Sequence, residues 1–128
     1  MTVELTMLTC AVGLAILQLL VVIIGAMIQV PLAVLAGNRD TPVECRGWVG
    51  RAQRAHRNML ESLLPFAAIV LVADAAGVSN DYTVLGTQLF LYGRIAYAAV
   101  YVAGIAWLRT VVWAAALAGM LLVLAQLA

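Results

Sequence analysis

The sequence predicts an all-α integral membrane protein, a bundle of four transmembrane helices. Composition, the lengths of the apolar runs and the placement of arginine carry that prediction. Of the 128 residues, 66% are apolar and only 10% are charged, whereas soluble domains hold roughly 45–50% apolar and about 25% charged residues. A soluble fold of this length cannot cover so much apolar surface, and low charge with high aliphatic content excludes disorder. The length suits one domain, so residues 1–128 are expected to form a single membrane domain. A net charge of +1 leaves no basic field for nucleic acid. All seven cations are arginine, and Arg39, Arg46, Arg51, Arg54 and Arg57 crowd into one short stretch.

A helix needs about 20 apolar residues to cross the hydrocarbon core. The first span, about residues 5–36, exceeds that, with Pro31 near its end, where a kink or early termination is expected. Its start, MTVELTML, carries Glu4 and no cation, unlike a secretory signal, so the span is expected to be retained. Residues 37–50 (GNRDTPVECRGWVG) read as a loop. The second span, about 48–76, would reach roughly 43 Å, so its arginine-rich start stands in the interface. GVSND (77–81) is a turn. The third span covers about 82–106, and a short link at Trp107–Arg109 leads into the fourth, about 110–126. Cys10 and Cys45 lie far apart without metal-ligand spacing, so neither a disulfide nor a metal site is expected.

With four spans, the first and third loops share one face, and both termini share the other with the second loop. Arg39, Arg46 and Arg109 lie in or beside the first and third loops, so that face is expected to be cytoplasmic and the termini to lie opposite.

The second span opens with RAQRAHRNMLESLLPF (51–66). Ionisable groups this close to hydrocarbon are costly and are usually paired or functional. At helical spacing Arg51, Arg54, Asn58 and Glu61 fall within an arc of about 80°. Arg57 flanks that arc, and His56 projects from the opposite side. An Arg57–Glu61 pair with snorkelling arginines would explain part of this. The polar face is longer than one ion pair requires, however. It suits a small zwitterion whose carboxylates are clasped by guanidinium forks while Glu61 accepts an ammonium. In the third span Arg94, Tyr97 and Tyr101 share an arc of about 60°, deeper than interfacial anchors normally lie. Arg109 stands at the same membrane face, so the three polar sets can converge there.

RAHRNMLESLLPF (54–66) resembles the second-helix signature of the MAPEG family, the membrane-associated proteins of eicosanoid and glutathione metabolism. Within that family it is similar to microsomal glutathione transferase and microsomal prostaglandin E synthase. GRIAYAAVY (93–101) resembles the third-helix signature, and Arg109 falls where the family has a thiolate-contacting arginine. The likeness covers about residues 37 to 115. It implies a homotrimer with glutathione bound between neighbouring subunits on the cytoplasmic side. Arg54, Arg57, Asn58 and Glu61 would then hold the charged ends of the peptide, with Arg51 on the same face. Arg94, Tyr97 and Tyr101 would line the third-helix wall, and Arg109 would sit beside the sulfur. Departures from the family pattern point away from eicosanoid chemistry. IQVPLAV (28–34) lacks the first-helix cation of the synthases, Trp113 replaces a frequent tyrosine, and Thr110 stands where prostaglandin synthase has serine.

The resulting expectation is a membrane-bound glutathione transferase, with or without peroxidase activity. Arg109, helped by Thr110 or Tyr101, would stabilise the glutathione thiolate for attack on an apolar electrophile or lipid hydroperoxide from the bilayer. A second reading keeps the binding residues for glutathione or another small anionic ligand without turnover. A small transporter is the poorer third reading. Glu4 lies only at the mouth of the first span, which otherwise offers Cys10, Gln18 and Gln29, and Asp74 lies near a helix end.

Overall fold

A computed structural model describes residues 1–128 as helices alone: α1 Val3–Gln29, α2 Leu32–Ala36, α3 Gly47–Ala75, α4 Asp81–Ala103 and α5 Ala106–Ala125. By length and apolar content, α1, α3 and α5 each suffice to cross a membrane. The fourth member of the bundle, α4, has 23 residues, about 35 Å of helix. It is less apolar because it carries Thr83, Thr87, Arg94 and Tyr97, all of which are turned into the bundle and buried.

The first apolar run does not continue to Ala36 as one helix. Pro31 forces the residue before it out of the α region, and Val30 is extended at φ −127° and ψ 135°. The chain then makes only the five-residue α2, none of whose residues is buried. Gln29 closes the hairpin into α3: its Nε2 donates to the Arg46 carbonyl (2.9 Å) and its Oε1 accepts from the Arg46 N–H (2.8 Å).

The link between α4 and α5 also differs from the expectation. It falls at Gly104 and Ile105, not at Trp107–Arg109, so Arg109 lies in the first turn of α5. Gly104 takes the left-handed conformation, φ +83°, which costs glycine little. Its N–H donates to Tyr101 and that of Ile105 to Val100, satisfying carbonyls that the end of α4 would leave open.

At the opposite end, Asn80 and Thr83 cap α4 reciprocally. The Glu4 carboxylate, itself buried, accepts hydrogen bonds from Ser79 Oγ and Thr83 Oγ1. Asn80 Nδ2 donates to Gln126 Oε1 at 3.2 Å. Both chain ends are thereby tied to the α3–α4 turn. The first loop and the α4–α5 link share the other end, where Arg51 Nε donates to the Val102 carbonyl at 2.9 Å.

The core joins Leu8, Ala11 and Ala15 of α1 to Met59, Phe66 and Val70 of α3 and to Phe90, Leu91 and Ala116 of α4 and α5. The Phe66 and Phe90 rings stack at 3.7 Å. The α4–α5 contact is backbone to backbone. A Cβ at Gly119 would come within 2.5 Å of the Gly86 carbonyl oxygen, and one at Gly93 within 2.9 Å of Ala116 Cβ.

Gly119→Val is therefore expected to destabilise the bundle by about 1–3 kcal/mol through overpacking, read as a lower thermal unfolding midpoint in detergent. Gly13, which faces open space, supplies the control. Gly13→Ala is expected to leave the midpoint unchanged or raise it slightly, because alanine favours the helix.

Candidate functional site

The polar faces of α3, α4 and the start of α5 enclose two small cavities. The first, about 230 Å³, is lined by Asn58, Glu61, Ser62 and Pro65 of α3, Phe90 and Arg94 of α4, and Trp113 and its neighbours on α5. The second, about 200 Å³, is lined by Asn58, Tyr97, Arg109, Thr110 and Trp113. Asn58 and Trp113 belong to both, so the two are chambers of one cleft.

Local geometry explains the lining. Asn58, Glu61, Ser62 and Pro65 follow the i, i+3, i+4, i+7 spacing that keeps side chains on one helix face. Ser62 Oγ returns to the Asn58 and Met59 carbonyls at 3.2 and 3.1 Å. Pro65 stands inside α3 and has no N–H, so the Glu61 carbonyl lacks its normal intrahelical donor.

Arg94 dominates the first chamber. It is 1% exposed, although arginine is almost never fully buried unless paired. No carboxylate reaches it. Its Nε donates to the Met59 thioether at 3.4 Å, its guanidinium carbon lies 4.5 Å from the Tyr97 ring centre, and its Nη2 is buried without a partner. Asn58 Oδ1 is likewise buried and unpartnered. Buried polar atoms are nearly always satisfied, so two open ones on residues that line the same cavity make it the candidate site.

A second cationic group surrounds Tyr101. Arg54 Nε donates to its hydroxyl at 3.1 Å, and the Arg109 guanidinium carbon stacks 4.6 Å from its ring centre. Tyr97 and Tyr101 meet with ring centres 5.5 Å apart. Two phenol rings therefore lie among three guanidinium groups, and cation–π attraction offsets part of the repulsion between like charges.

The expected residues are thus brought together unevenly. Asn58, Glu61 and Arg94 meet at the first chamber, Asn58, Tyr97, Arg109 and Thr110 at the second, and Arg54 and Tyr101 beside the latter. Arg57 is exposed and lines neither chamber, and Arg57 and Glu61 make no hydrogen bond to each other. Arg51 faces the end of α4, where its Nε bond to Val102 and the positive charge suit a helix C-terminus. His56 lies on the far side, half-buried with Nδ1 unpartnered. Sequence reasoning passed over Ser62 and Pro65 as lining residues, although their spacing from Asn58 signalled it. Met59 gave no such signal, because a thioether holding a guanidinium is not legible from residue type.

A family model, the MAPEG family, matches residues 7–128 of the chain. No curated protein matches it.

An unpaired charge in this setting costs several kcal/mol. Arg94→Met is accordingly expected to leave the ligand-free protein as stable as the parent or more so, by up to about 4 kcal/mol. Thermal unfolding in detergent checks this. A clear drop in the midpoint would show that Arg94 already has adequate partners.

Proposed function

The chain belongs to the MAPEG family, a group of membrane proteins of glutathione and eicosanoid metabolism, and from that premise we propose that it is a glutathione-dependent transferase with peroxidase capacity. The observation that carries the reading is the cleft with its buried, uncompensated Arg94. Glutathione offers two carboxylates, an ammonium, two amides and a thiol. Ligand sites usually measure about 300–1,000 Å³, and neither chamber alone reaches that, so the tripeptide spans both. One carboxylate meets Arg94 Nη2 as a charge-assisted bond, with Asn58 beside it. The Glu61 carboxylate takes the ammonium. Arg54, beside the second chamber, faces the second carboxylate. Arg51 is left to hold the end of α4.

The thiol then lies in the second chamber, near Arg109, Thr110 and the Tyr101 hydroxyl. A free thiol has a pKa of about 8.5 and is only slightly ionised at neutral pH. Lowering it to about 6.5 requires roughly 2.7 kcal/mol of differential stabilisation, within reach of a guanidinium in a partly desolvated site. The thiol proton passes to water. The sulfur lone pair attacks an electrophilic carbon, and the leaving group departs with the displaced electron pair. With a lipid hydroperoxide the thiolate attacks the terminal oxygen and the O–O bond breaks. The lipid alkoxide takes up a proton, and a second glutathione reduces the sulfenic acid to give the disulfide and water.

Trp113 is 40% exposed on a single chain, and Glu61 and Arg57 are exposed too. A neighbouring subunit of a homotrimer would close the cleft on that side. The arginine-rich end faces the cytoplasm in this reading, since it holds Arg39, Arg46 and Arg109 while the other end holds no lysine or arginine.

Arg109→Ala tests the mechanism. Ultraviolet thiolate absorbance in a glutathione titration is expected to saturate in the parent and vanish in the variant, with calorimetric binding retained. Turnover at about pH 7 is expected to fall by about 25-fold, the thiolate fraction dropping as the rate midpoint moves from about pH 6.5 to about pH 8.5. Unchanged turnover would remove Arg109 from the chemistry. Binding without turnover in the parent would leave a ligand-binding protein.

A further inference from the structure

A cavity of about 460 Å³ lies away from the cleft, between the last turns of α1 and the short α2. Val22, Ile23 and Ala26 form one wall and Leu32 and Leu35 the other, with Arg39 and Gln53 at the polar edge. We propose that this cavity holds one acyl chain of a membrane phospholipid, with the lipid phosphate on Arg39.

The apolar strap supplies the first argument. All five residues of α2 (LAVLA) are apolar and none is buried, so α2 stands off the bundle with the cavity beneath it. A five-residue helix does not persist by propensity alone. Hydrocarbon packed under the strap supplies the contacts that hold it. Access supplies the second argument. Ile23 and Met27 line the cavity and are also exposed on the outer surface of α1, so a chain reaches the cavity from the bilayer without crossing a polar rim.

Charge supplies the third argument and selects the head. Arg39 has a left-handed backbone, φ 55°, uncommon outside glycine. Its Nε donates to the Leu35 carbonyl at 2.9 Å, which folds the guanidinium back across the end of α2. Its two terminal nitrogens make no hydrogen bond within the protein and form a fork suited to phosphate. The site lies at the end of α1, where lipid headgroups meet the first loop, and shares no lining residue with the cleft.

Native mass spectrometry of the delipidated protein, titrated with phosphatidylglycerol, tests this. One lipid per chain is expected on the parent. Arg39→Gln is expected to weaken binding about tenfold, the scale of one charge-assisted hydrogen bond. Ala36→Phe, which fills the cavity from an exposed position, is expected to abolish it. Arg46→Gln, on the same face but outside the cavity, is expected to bind as the parent does. Equal binding by all four proteins, or equal loss with Arg46→Gln, would overturn the proposal. So would an oligomer that stays free of lipid at saturating concentration, because a second copy would then fill the space.

Discussion

The glycine-mediated contact between α4 and α5 sets the geometry of the cleft. Where Gly86 meets Gly119 and Gly93 meets Ala116, no room remains for a larger side chain. The two helices approach at backbone distance, as small residues allow within a membrane. That approach carries the start of α5 against the polar stretch of α4. Arg109 reaches the Tyr101 ring and Trp113 lines the same chamber as Arg94. The left-handed Gly104 makes the same contact possible from the loop side, because it reverses the chain within two residues. A wider pair of helices would leave the guanidinium groups of α4 and α5 in separate environments.

Within that frame the cleft is an electrostatic site built largely without counter-ions. The Arg94 charge is met by a thioether and a phenol ring, and those of Arg54 and Arg109 by the Tyr101 hydroxyl and ring. Soft partners of this kind hold the guanidinium groups in place while leaving their charge available. A carboxylate in the same position would have neutralised it. The protein therefore bears a standing cost in the ligand-free state, which in the proposed function an anionic ligand would recover on binding. Glycine packing holds α4 against α5 beside these groups, and Asn80 and Thr83 cap α4 reciprocally at its other end.

Much of this was legible in the residues, and the limits are physical. The helical class followed from composition. The α3 and α4 polar faces followed from spacing, because side-chain direction on a helix is fixed by position. Early termination at Pro31 also followed from local backbone chemistry. The α4–α5 link was misplaced by a few residues, since Trp107 and Arg109 look like interface residues and Gly104 is the only local mark of the true turn. Arg51 shows the harder limit. Its helical phase is that of the site, yet its partner is a carbonyl at the end of another helix, and that meeting depends on how the helices pack. The Glu4 ties to Ser79 and Thr83 lay beyond reach for the same reason.

The central claim is that Arg94 keeps an unneutralised charge for an anionic group of glutathione. A structure of the membrane-embedded protein with glutathione bound tests it most directly. The account predicts a carboxylate oxygen within hydrogen-bond distance of Arg94 Nη2, beside Asn58, and the sulfur against Arg109. Glutathione bound elsewhere, with Arg94 Nη2 still buried and unpartnered, would contradict it.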